Sequence, residues 1–396
     1  MKIVGIIAEY DPFHRGHERH LRLAREAAGA DAVFVALSPC FRQRGELALL
    51  SPGDRARCAL AAGADAVFAL PAAHVLRDAE HYARAGVGLL HALGCTHLAF
   101  GAEEPRLSLL CRTAEQLENP DPLVTRRLRE LLREGTGFPK ARAEALSVVY
   151  SEMTRVMSEP NNILAVCYLR ALSRLPHPMV PVLIPRNGAY HADRIDPDAP
   201  SASALRAALS RGAWEQALPA LTEESRRVVR AAFLAGTVPD PRILDALLLA
   251  RLRSMTQEEA RRLPDVSEGL ERRLLHEARS ARSREELISR VSSRRYPAAR
   301  ISRLCACALL GITAPSAPDP DSPPEALLLG LRPRPELTAR WKQGPLTVLS
   351  SLRESRFPEL WAADLAAWRI FAQCTSRPGT FPFTERMAVA DSPSGV

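Results

Sequence analysis

Two histidines separated by two residues occur near the start of the chain, where an apolar segment gives way to a polar one. His14 and His17 flank Gly16, shortly after an almost unbroken apolar run at residues 2–8. Such a run is typical of a strand that is buried on both faces of a parallel sheet. A helix that starts after it offers unpaired backbone N–H groups and a positive dipole end, which favour a phosphate. The pattern predicts imidazoles that bind phosphate oxygens and stabilise charge during transfer, against the alternative of solvent-facing histidines on an ordinary helix.

Predicted helices and strands alternate after this motif. In chain order they are a helix at 17–28, a strand at 32–37, a helix at 52–63, a strand at 66–70, a helix at 81–93 and a strand at 97–100. This alternation predicts an α/β fold, a Rossmann-like doubly wound parallel sheet, whose ligand lies beyond the carboxyl ends of the strands. The histidines follow the first strand and Gly101 follows the fourth, so both fall on that edge.

More residues suited to a triphosphate follow a fifth and last predicted strand at 180–184, which comes after a mainly helical stretch. Ser201 or Ser203 is predicted to cap a new helix, and Arg206 lies one turn in. A capped helix start that carries an arginine can hold the outer phosphates of a triphosphate. The alternative is an ordinary cap beside a surface arginine.

The spacing of the two histidines, His-X-Gly-His, resembles the signature of the nucleotidyltransferase superfamily that includes class I aminoacyl-tRNA synthetases and pantetheine-phosphate adenylyltransferase. Further segments resemble the tRNA(Met) cytidine acetate ligase family in identity and order. They are residues 9–17, 43–46, 63–65, 100–103, 160–164 and 201–206, with weaker matches at 294–296 and 329–330. The resemblance implies a nucleotidyltransferase-like fold and an ATP-dependent ligase that activates acetate as acetyl-adenylate. It also implies that the acetyl group passes to the wobble cytidine of elongator tRNA(Met), giving N(4)-acetylcytidine.

The resemblance also implies which residues act. The predicted catalytic residues are His14 and His17. The predicted ATP-binding residues are Ile7, Ala8, Glu9, Tyr10, Asp11, Pro12, Phe13, His14, Arg15, Gly16, His17, Glu18, Arg19, His20, Gly101, Asn161, Asn162 and Arg186, together with Ser203 and Arg206 from the helix start. Mg²⁺ is expected to arrive with the triphosphate. The sequence shows no group of carboxylate residues that would hold the ion on the protein itself. Pro39, Ser51 and Ala102 depart from the family pattern and affect the expected local loop geometry.

The second half of the chain is rich in arginine and lacks strand alternation. The net charge is +8 over 396 residues, and a cationic excess attracts a polyanion. A basic helix pair is predicted across residues 279–303 and is expected to contact tRNA phosphates and an unstacked base, against the alternative of a solvated helix face. The predicted tRNA-binding residues are Arg294, Arg295, Tyr296, Arg300 and Arg303.

Length and composition predict two domains. We expect an ATP-binding domain at 1–212 and an all-helical, tRNA-binding domain at 213–374, with apolar helices at 327–331 and 346–352. A proline-rich linker is predicted at 314–324 and a disordered tail at 375–396. No apolar run approaches the ~20 residues that span a bilayer. The chain shows no signal-peptide pattern, and the eight cysteines are expected to be buried reduced thiols. We therefore expect a cytoplasmic protein with no membrane partner.

Two other functions fit parts of the sequence. A nucleotidyltransferase for a small phosphorylated metabolite would use the same histidines, but such a substrate does not require a large helical second half. A tRNA-binding protein with an inactive nucleotide fold would keep the basic region, but it would not require His14 and His17. Pyrophosphate release with acetate in the absence of RNA separates the ligase from the inactive binding protein.

Overall fold

The computed structural model describes residues 1–186, 195–196, 200–314, 319–343, 346–377 and 388–389. The strands are β1 Ile3–Ala8, β2 Ala32–Leu37, β3 Ala66–Ala69, β4 His97–Ala102, β5 Val180–Pro185, β6 Glu325–Leu331, β7 Thr347–Leu349 and β8 Ala388–Val389. The helices are α1 Arg15–Ala28, α2 Pro52–Ala61, α3 Ala72–Val75, α4 Ala79–Ala92, α5 Leu107–Glu118, α6 Pro122–Arg133, α7 Phe138–Leu146, α8 Glu152–Val156, α9 Pro160–Ser173, α10 Ala202–Ser210, α11 Trp214–Ala217, α12 Glu223–Ala235, α13 Pro241–Ser254, α14 Gln257–Arg261, α15 Leu270–Ala278, α16 Arg284–Val291, α17 Ala298–Leu310, α18 Pro335–Gln343 and α19 Ala362–Gln373.

The strands form one sheet in the order β5-β4-β1-β2-β3-β6-β7, with β8 beside β6. The first five strands are parallel, and helices cover both faces of the sheet. Ile3 shares a core with Leu90 of α4 and Val166 of α9, whereas Val4 shares the opposite core with Leu21 of α1. Successive side chains of a strand point to opposite faces, so a strand covered on both faces is apolar throughout. The predicted doubly wound α/β sheet is confirmed.

The chain returns to this sheet near its end. β6 pairs antiparallel with β3, and β7 and β8 pair parallel with β6. The prediction of apolar helices at 327–331 and 346–352, and so of an all-helical second half, is wrong at these positions. Leu328 packs into one core while Leu327 and Leu329 pack into the other. A short run that is apolar on both faces fits a buried strand or a buried helix equally well by periodicity, and here the pairing with β3 decides.

Two residues near the end of the chain join the same edge of the sheet. Ala388 and Val389 pair with Gly330 and Leu331, so the prediction of disorder for the tail 375–396 is wrong at these two residues. Residues 378–387 and 390–396 of that tail lie outside the described part of the chain, as do 315–318 of the predicted linker. The domain boundary at 212/213 stays a prediction.

Helices α13 to α17 and α19 form a group beside the sheet, called here the helical group. Its core includes Leu248, Leu287 and Phe371 and also takes in Phe41 and Leu76, which belong to the first part of the chain. One buried polar contact joins the same parts: both carboxylate oxygens of Asp364, on α19, accept the backbone N–H of Ala72 at 3.1 Å. The helical group is therefore packed against the loop that follows β2 and against α3, which follows β3.

Two smaller predictions concern the cysteines and the membrane. All eight cysteines are free thiols, and the prediction that they are buried is wrong for Cys111, which is exposed on α5. Among the helices in the described ranges, none has both the length and the apolar character needed to cross a bilayer.

Candidate active site

The turn between β1 and α1 carries the two histidines. Tyr10 has a left-handed backbone with φ of 51°, and the Asp11–Pro12 peptide bond is cis. His14 has an extended backbone and is the N-cap of α1, and its carbonyl oxygen accepts the N–H of His17 at 2.8 Å. The chain thereby changes from strand to helix within a few residues and leaves both histidines at the N-terminal end of α1, where a helix attracts anions.

The imidazole rings of His14 and His17 are stacked. Their centroids are 3.6 Å apart and their planes differ by 19°. The backbone N–H of His14 donates to Nδ1 of His17 at 3.4 Å, so a neutral His17 carries its proton on Nε2. A Cβ on Gly16 would lie 3.0 Å from Cε1 and 3.1 Å from Nδ1 of His14. The glycine between the histidines therefore leaves room for this stack, and a side chain there would press on the ring of His14.

Burial keeps these histidines neutral. Burial, with added repulsion from Arg186 and Arg206, lowers the pKa of His14 to about 3. Burial first, and then His14 and Arg186, hold the pKa of His17 well below its ordinary value. The pKa of His20, one turn further along α1, falls to about 4 through burial and Arg186. At neutral pH each ring is therefore a single N–H donor in a positive surrounding, which suits an anionic ligand.

Arg186 and Gly101 meet at the carboxyl end of the sheet. The backbone N–H of Arg186 donates to the carbonyl oxygen of Ala102 at 3.0 Å. A Cβ on Gly101 would lie 3.1 Å from Cγ of Arg186, so the absent side chain leaves room for the arginine. Since Arg186 repels a proton on all three histidines, its guanidinium belongs to the same positive surrounding. The structure thus brings together residues that the resemblance implied from distant parts of the sequence.

Arg206 is anchored on the turn that precedes the histidines. Its Nη1 donates to the carbonyl oxygen of Asp11 at 2.6 Å, and its Nη2 donates to Oγ of Ser203 at 3.1 Å. The choice left open by the sequence is settled in favour of Ser201 as the N-cap of α10, although its side chain makes no capping hydrogen bond. Ser203 instead orients Arg206, one turn into the helix.

The asparagine pair at the start of α9 is held by Glu103. Nδ2 of Asn161 donates to Oε1 of Glu103 at 2.5 Å, and the backbone N–H of Asn162 donates to Oε2 at 3.1 Å. The side-chain oxygen of buried Asn162 accepts the N–H of Glu104 at 2.9 Å. These contacts join the end of β4 to α9. Glu103 was not predicted as a site residue, although its place directly after a strand was a usable signal.

Two buried arginines behind the turn were also missed. Nη1 of Arg55 donates to the carbonyl oxygens of Glu9 at 2.7 Å and Ser38 at 2.8 Å, which joins the ends of β1 and β2. Nε of Arg42 lies 3.4 Å from Oδ2 of Asp11. An arginine that will be buried looks like any other in a sequence with many arginines, so only the three-dimensional structure identifies this pair.

The remaining residues of the predicted ATP site fall into two groups. Ile7 and Ala8 end β1, Tyr10 and Phe13 are buried against the ring of His17, and Pro12 is the cis proline. By contrast, Arg15, Glu18 and Arg19 line a cleft on the outer side of α1. These three lie apart from the stacked rings.

Arg294 and Arg295, the first residues of the predicted tRNA cluster, are exposed in the loop between α16 and α17. Arg295 forms an ion pair with Glu268. Two exposed cations on one loop form a surface that a phosphate backbone can reach.

Tyr296, Arg300 and Arg303 are more enclosed. The hydroxyl of buried Tyr296 donates to the carbonyl oxygen of Ser267 at 3.2 Å, and the Arg300 guanidinium lies 5.2 Å from the ring centroid. Burial lowers the pKa of Arg303. Stacking of a base on Tyr296 would require this packing to open, and the predicted contact of these three residues with tRNA stays a prediction.

The carboxylates near the histidines are already engaged. Oδ1 of Asp11 accepts the N–H of Leu49 at 2.7 Å, and Oε1 of Glu9 accepts the N–H of Gln43 at 2.8 Å. Within the described ranges, no group of three or more His, Cys, Asp or Glu side chains could hold a metal ion. These residues do not fit a Mg²⁺ ion held by the protein itself.

The chain is similar to one protein family, to named relatives and to solved structures. The model of the family described as HIGH Nucleotidyl Transferase matches residues 1–381. A protein of Syntrophotalea carbinolica named tRNA(Met) cytidine acetate ligase is 38% identical over 308 residues, which cover 76% of this chain and 73% of that protein. The crystal structure of apo Thermotoga maritima TmcAL is 26% identical, has a TM-score of 0.90 and covers 98% of this chain and 99% of its own. A second crystal structure, of TmcAL bound with alpha-thio ATP, has a TM-score of 0.87 with the same identity and coverage.

Proposed function

We propose that this chain, which belongs to the HIGH nucleotidyl transferases and within them to the tRNA(Met) cytidine acetate ligase family, acetylates the wobble cytidine of elongator tRNA(Met). Acetate and ATP first give acetyl-adenylate, and the acetyl group then passes to the exocyclic N4 amine of the cytidine. The observation that carries the proposal is the stacked His14–His17 pair at the start of α1, with Arg186 and Arg206 beside it. Both the substrates and the reaction class suit the cytoplasm.

In the first step, a carboxylate oxygen of acetate attacks the α-phosphorus of ATP. A bond forms between that oxygen and phosphorus, the bond to the bridging oxygen breaks, and pyrophosphate leaves with the electron pair. His14 and His17 donate N–H groups to phosphate oxygens, while Arg186 and Arg206 offset the negative charge that builds up on them. The ring of His14 is buried and is already stacked on the half-buried ring of His17, so neither has to rearrange at that moment.

In the second step, N4 of the cytidine attacks the acetyl carbonyl carbon. The bond between that carbon and the adenylate oxygen breaks, AMP leaves with the electron pair, and the amine releases its proton to solvent. Residues 7–20, Gly101, Asn161, Asn162, Arg186, Ser203 and Arg206 form the proposed ATP site. Within it, Asn162 and Ser203 support other residues, while His14, His17, Arg186 and Arg206 face the phosphates.

Mg²⁺ is proposed only as a companion of the triphosphate. Because the carboxylates of Asp11 and Glu9 accept backbone N–H groups, the ion would be held by phosphate oxygens and water. The roles of the protein residues given above do not involve the ion.

One assay tests the whole proposal. The protein is incubated with ATP, labelled acetate and total tRNA, the RNA is digested, and labelled N(4)-acetylcytidine is measured. We expect the label in the wobble cytidine of elongator tRNA(Met), and pyrophosphate release with acetate even without RNA. Pyrophosphate release that requires a phosphorylated metabolite instead of acetate would refute the proposal in favour of the small-molecule alternative.

A further inference from the structure

A short loop lies between the histidine turn and the helical group. Residues 42–46, called here the 42–46 loop, are flanked by an antiparallel bridge between Phe41 and Leu47. The N–H of Arg42 donates to the carbonyl oxygen of Glu46 at 2.8 Å, and Gly45, with φ of 79°, donates to the carbonyl oxygen of Arg42 at 2.8 Å. The loop is therefore a closed turn. One side faces the residues that precede the histidines, and the other faces the helical group.

The inner side of the loop holds the residues that precede the histidines. Arg42, with a side chain 9% exposed, pairs with the carboxylate of Asp11, which is 1% exposed, at 3.4 Å. The N–H of Gln43 donates to Glu9 at 2.8 Å. A buried carboxylate is stable only when its partners stay in place. Arg42 is thus one of the groups that hold Asp11, three residues before His14, together with the N–H of Leu49.

The outer side of the loop rests on the helical group. Glu46 accepts a hydrogen bond from Arg42 and lies 3.7 Å from Nη2 of Arg284, the first residue of α16. Nη1 of Arg284 donates to the carbonyl oxygen of Gly45 at 3.2 Å and to Oγ of Ser302 at 3.0 Å. A Cβ on Gly45 would lie 2.6 Å from the backbone carbon of Ser302, so the loop packs directly on α17.

These contacts form one series of alternating charges, from Arg284 through Glu46 and Arg42 to Asp11. We propose that Arg284 is a positioning residue for ATP: acting through the 42–46 loop, it holds the turn that carries His14 and His17. The inference rests on the proposed function for what the site binds. It makes the helical group necessary for full adenylation as well as for any contact with RNA.

The test compares folded variants of the full chain. Arg284→Ala removes the ion pair and both hydrogen bonds, and we expect ATP affinity to fall about tenfold, which corresponds to the loss of roughly one charge-assisted contact. Arg284→Lys keeps the charge beside Glu46 and should recover most of this affinity. Arg282→Glu, at an exposed position two residues earlier, is the matched control and should leave ATP binding unchanged. ATP affinity is measured by direct titration, and adenylation by ATP–pyrophosphate exchange with acetate.

A double-mutant cycle shows whether the effect passes through the loop. If it does, Glu46→Gln combined with Arg284→Ala should weaken ATP binding no more than the stronger single change. Wild-type ATP affinity in folded Arg284→Ala, or fully additive losses in the double variant, would overturn the inference. Because titration with ATP requires no acetate chemistry, a wild-type protein that binds ATP without acetate-dependent exchange would refute the proposed function and still leave the inference open to this test.

Discussion

Replacing Gly16 with alanine should separate the activity of the histidine turn from its stability. The new Cβ would lie 3.0 Å from Cε1 and 3.1 Å from Nδ1 of His14, closer than ordinary van der Waals contact. The ring of His14 would therefore have to shift by a few tenths of an ångström or lose its stacking on His17, whose centroid is 3.6 Å away. The backbone of Gly16 is helical, so alanine fits there without backbone strain.

The expected magnitudes differ for activity and for folding. A misplacement of about 1 Å can cost about 100-fold in rate, so a shift of a few tenths should lower the rate of adenylation by roughly tenfold. Alanine is favoured over glycine in a helix by up to about 1 kcal/mol, so the free energy of unfolding should hold or rise slightly. The rate is measured by ATP–pyrophosphate exchange with acetate, and stability by urea denaturation of the same samples.

A second variant tests the cause. In His14→Ala the imidazole that the new Cβ would strike is absent, so adding Gly16→Ala should cause no further loss of exchange. Wild-type exchange in Gly16→Ala would refute the argument that the glycine makes room for the ring. A double variant that loses activity from both changes independently would place the effect of Gly16 elsewhere, for example on the approach of a phosphate to the helix.

The remaining predictions concern charge and pH. His17→Ala should slow adenylation by at least about 100-fold while the protein stays folded, as judged by exchange and circular dichroism; unchanged exchange would falsify its role. Burial raises the pKa of Asp364 from 3.8 to about 7. The folded protein therefore keeps a proton that the unfolded chain releases, and the free energy of unfolding should fall as the pH rises from about 4 to about 7 and level off above. Asp364→Asn should flatten that slope in urea titrations at several pH values, and an identical slope would assign the dependence to other groups. The double variant Arg294→Glu, Arg295→Glu should weaken tRNA binding and its salt dependence but keep exchange with acetate; equal salt slopes would remove this loop from the RNA surface. Excess EDTA should slow ATP–pyrophosphate exchange, and an unaffected rate would show that the reaction does not require Mg²⁺.

The sequence was most informative where structure depends on neighbouring residues. Buried parallel strands such as β1 to β4 appear as apolar runs, and the partly exposed edge strand β5 is apolar as well, so all five were predicted with ends displaced by at most two residues. β6 was missed because its run fits two structures and its partner β3 lies far away in the chain. The histidine motif was also found from the sequence, because its residues lie next to one another in the chain.

Contacts between distant segments were beyond sequence reasoning. The ion pair of Arg42 with Asp11 and the contact of Glu46 with Arg284 depend on the fold of separate loops and helices. Exposure was equally hidden: Tyr296 lies among arginines in the sequence, which suggested an open aromatic surface, yet its ring is buried under Arg300. A charge run shows composition, while burial is decided by packing.

The late return of the chain to β3 has a consequence for biosynthesis. Asp65, just before β3, pairs with Arg334, which is 269 residues away in the chain. At about 5–20 residues per second, the ribosome needs on the order of 10–50 s to supply that stretch. Throughout this interval the nascent chain displays β3 as an open edge, and an open edge pairs readily with other chains. Folding in the cell should therefore depend on protection by chaperones until β6 emerges, and a fragment ending before residue 325 should aggregate.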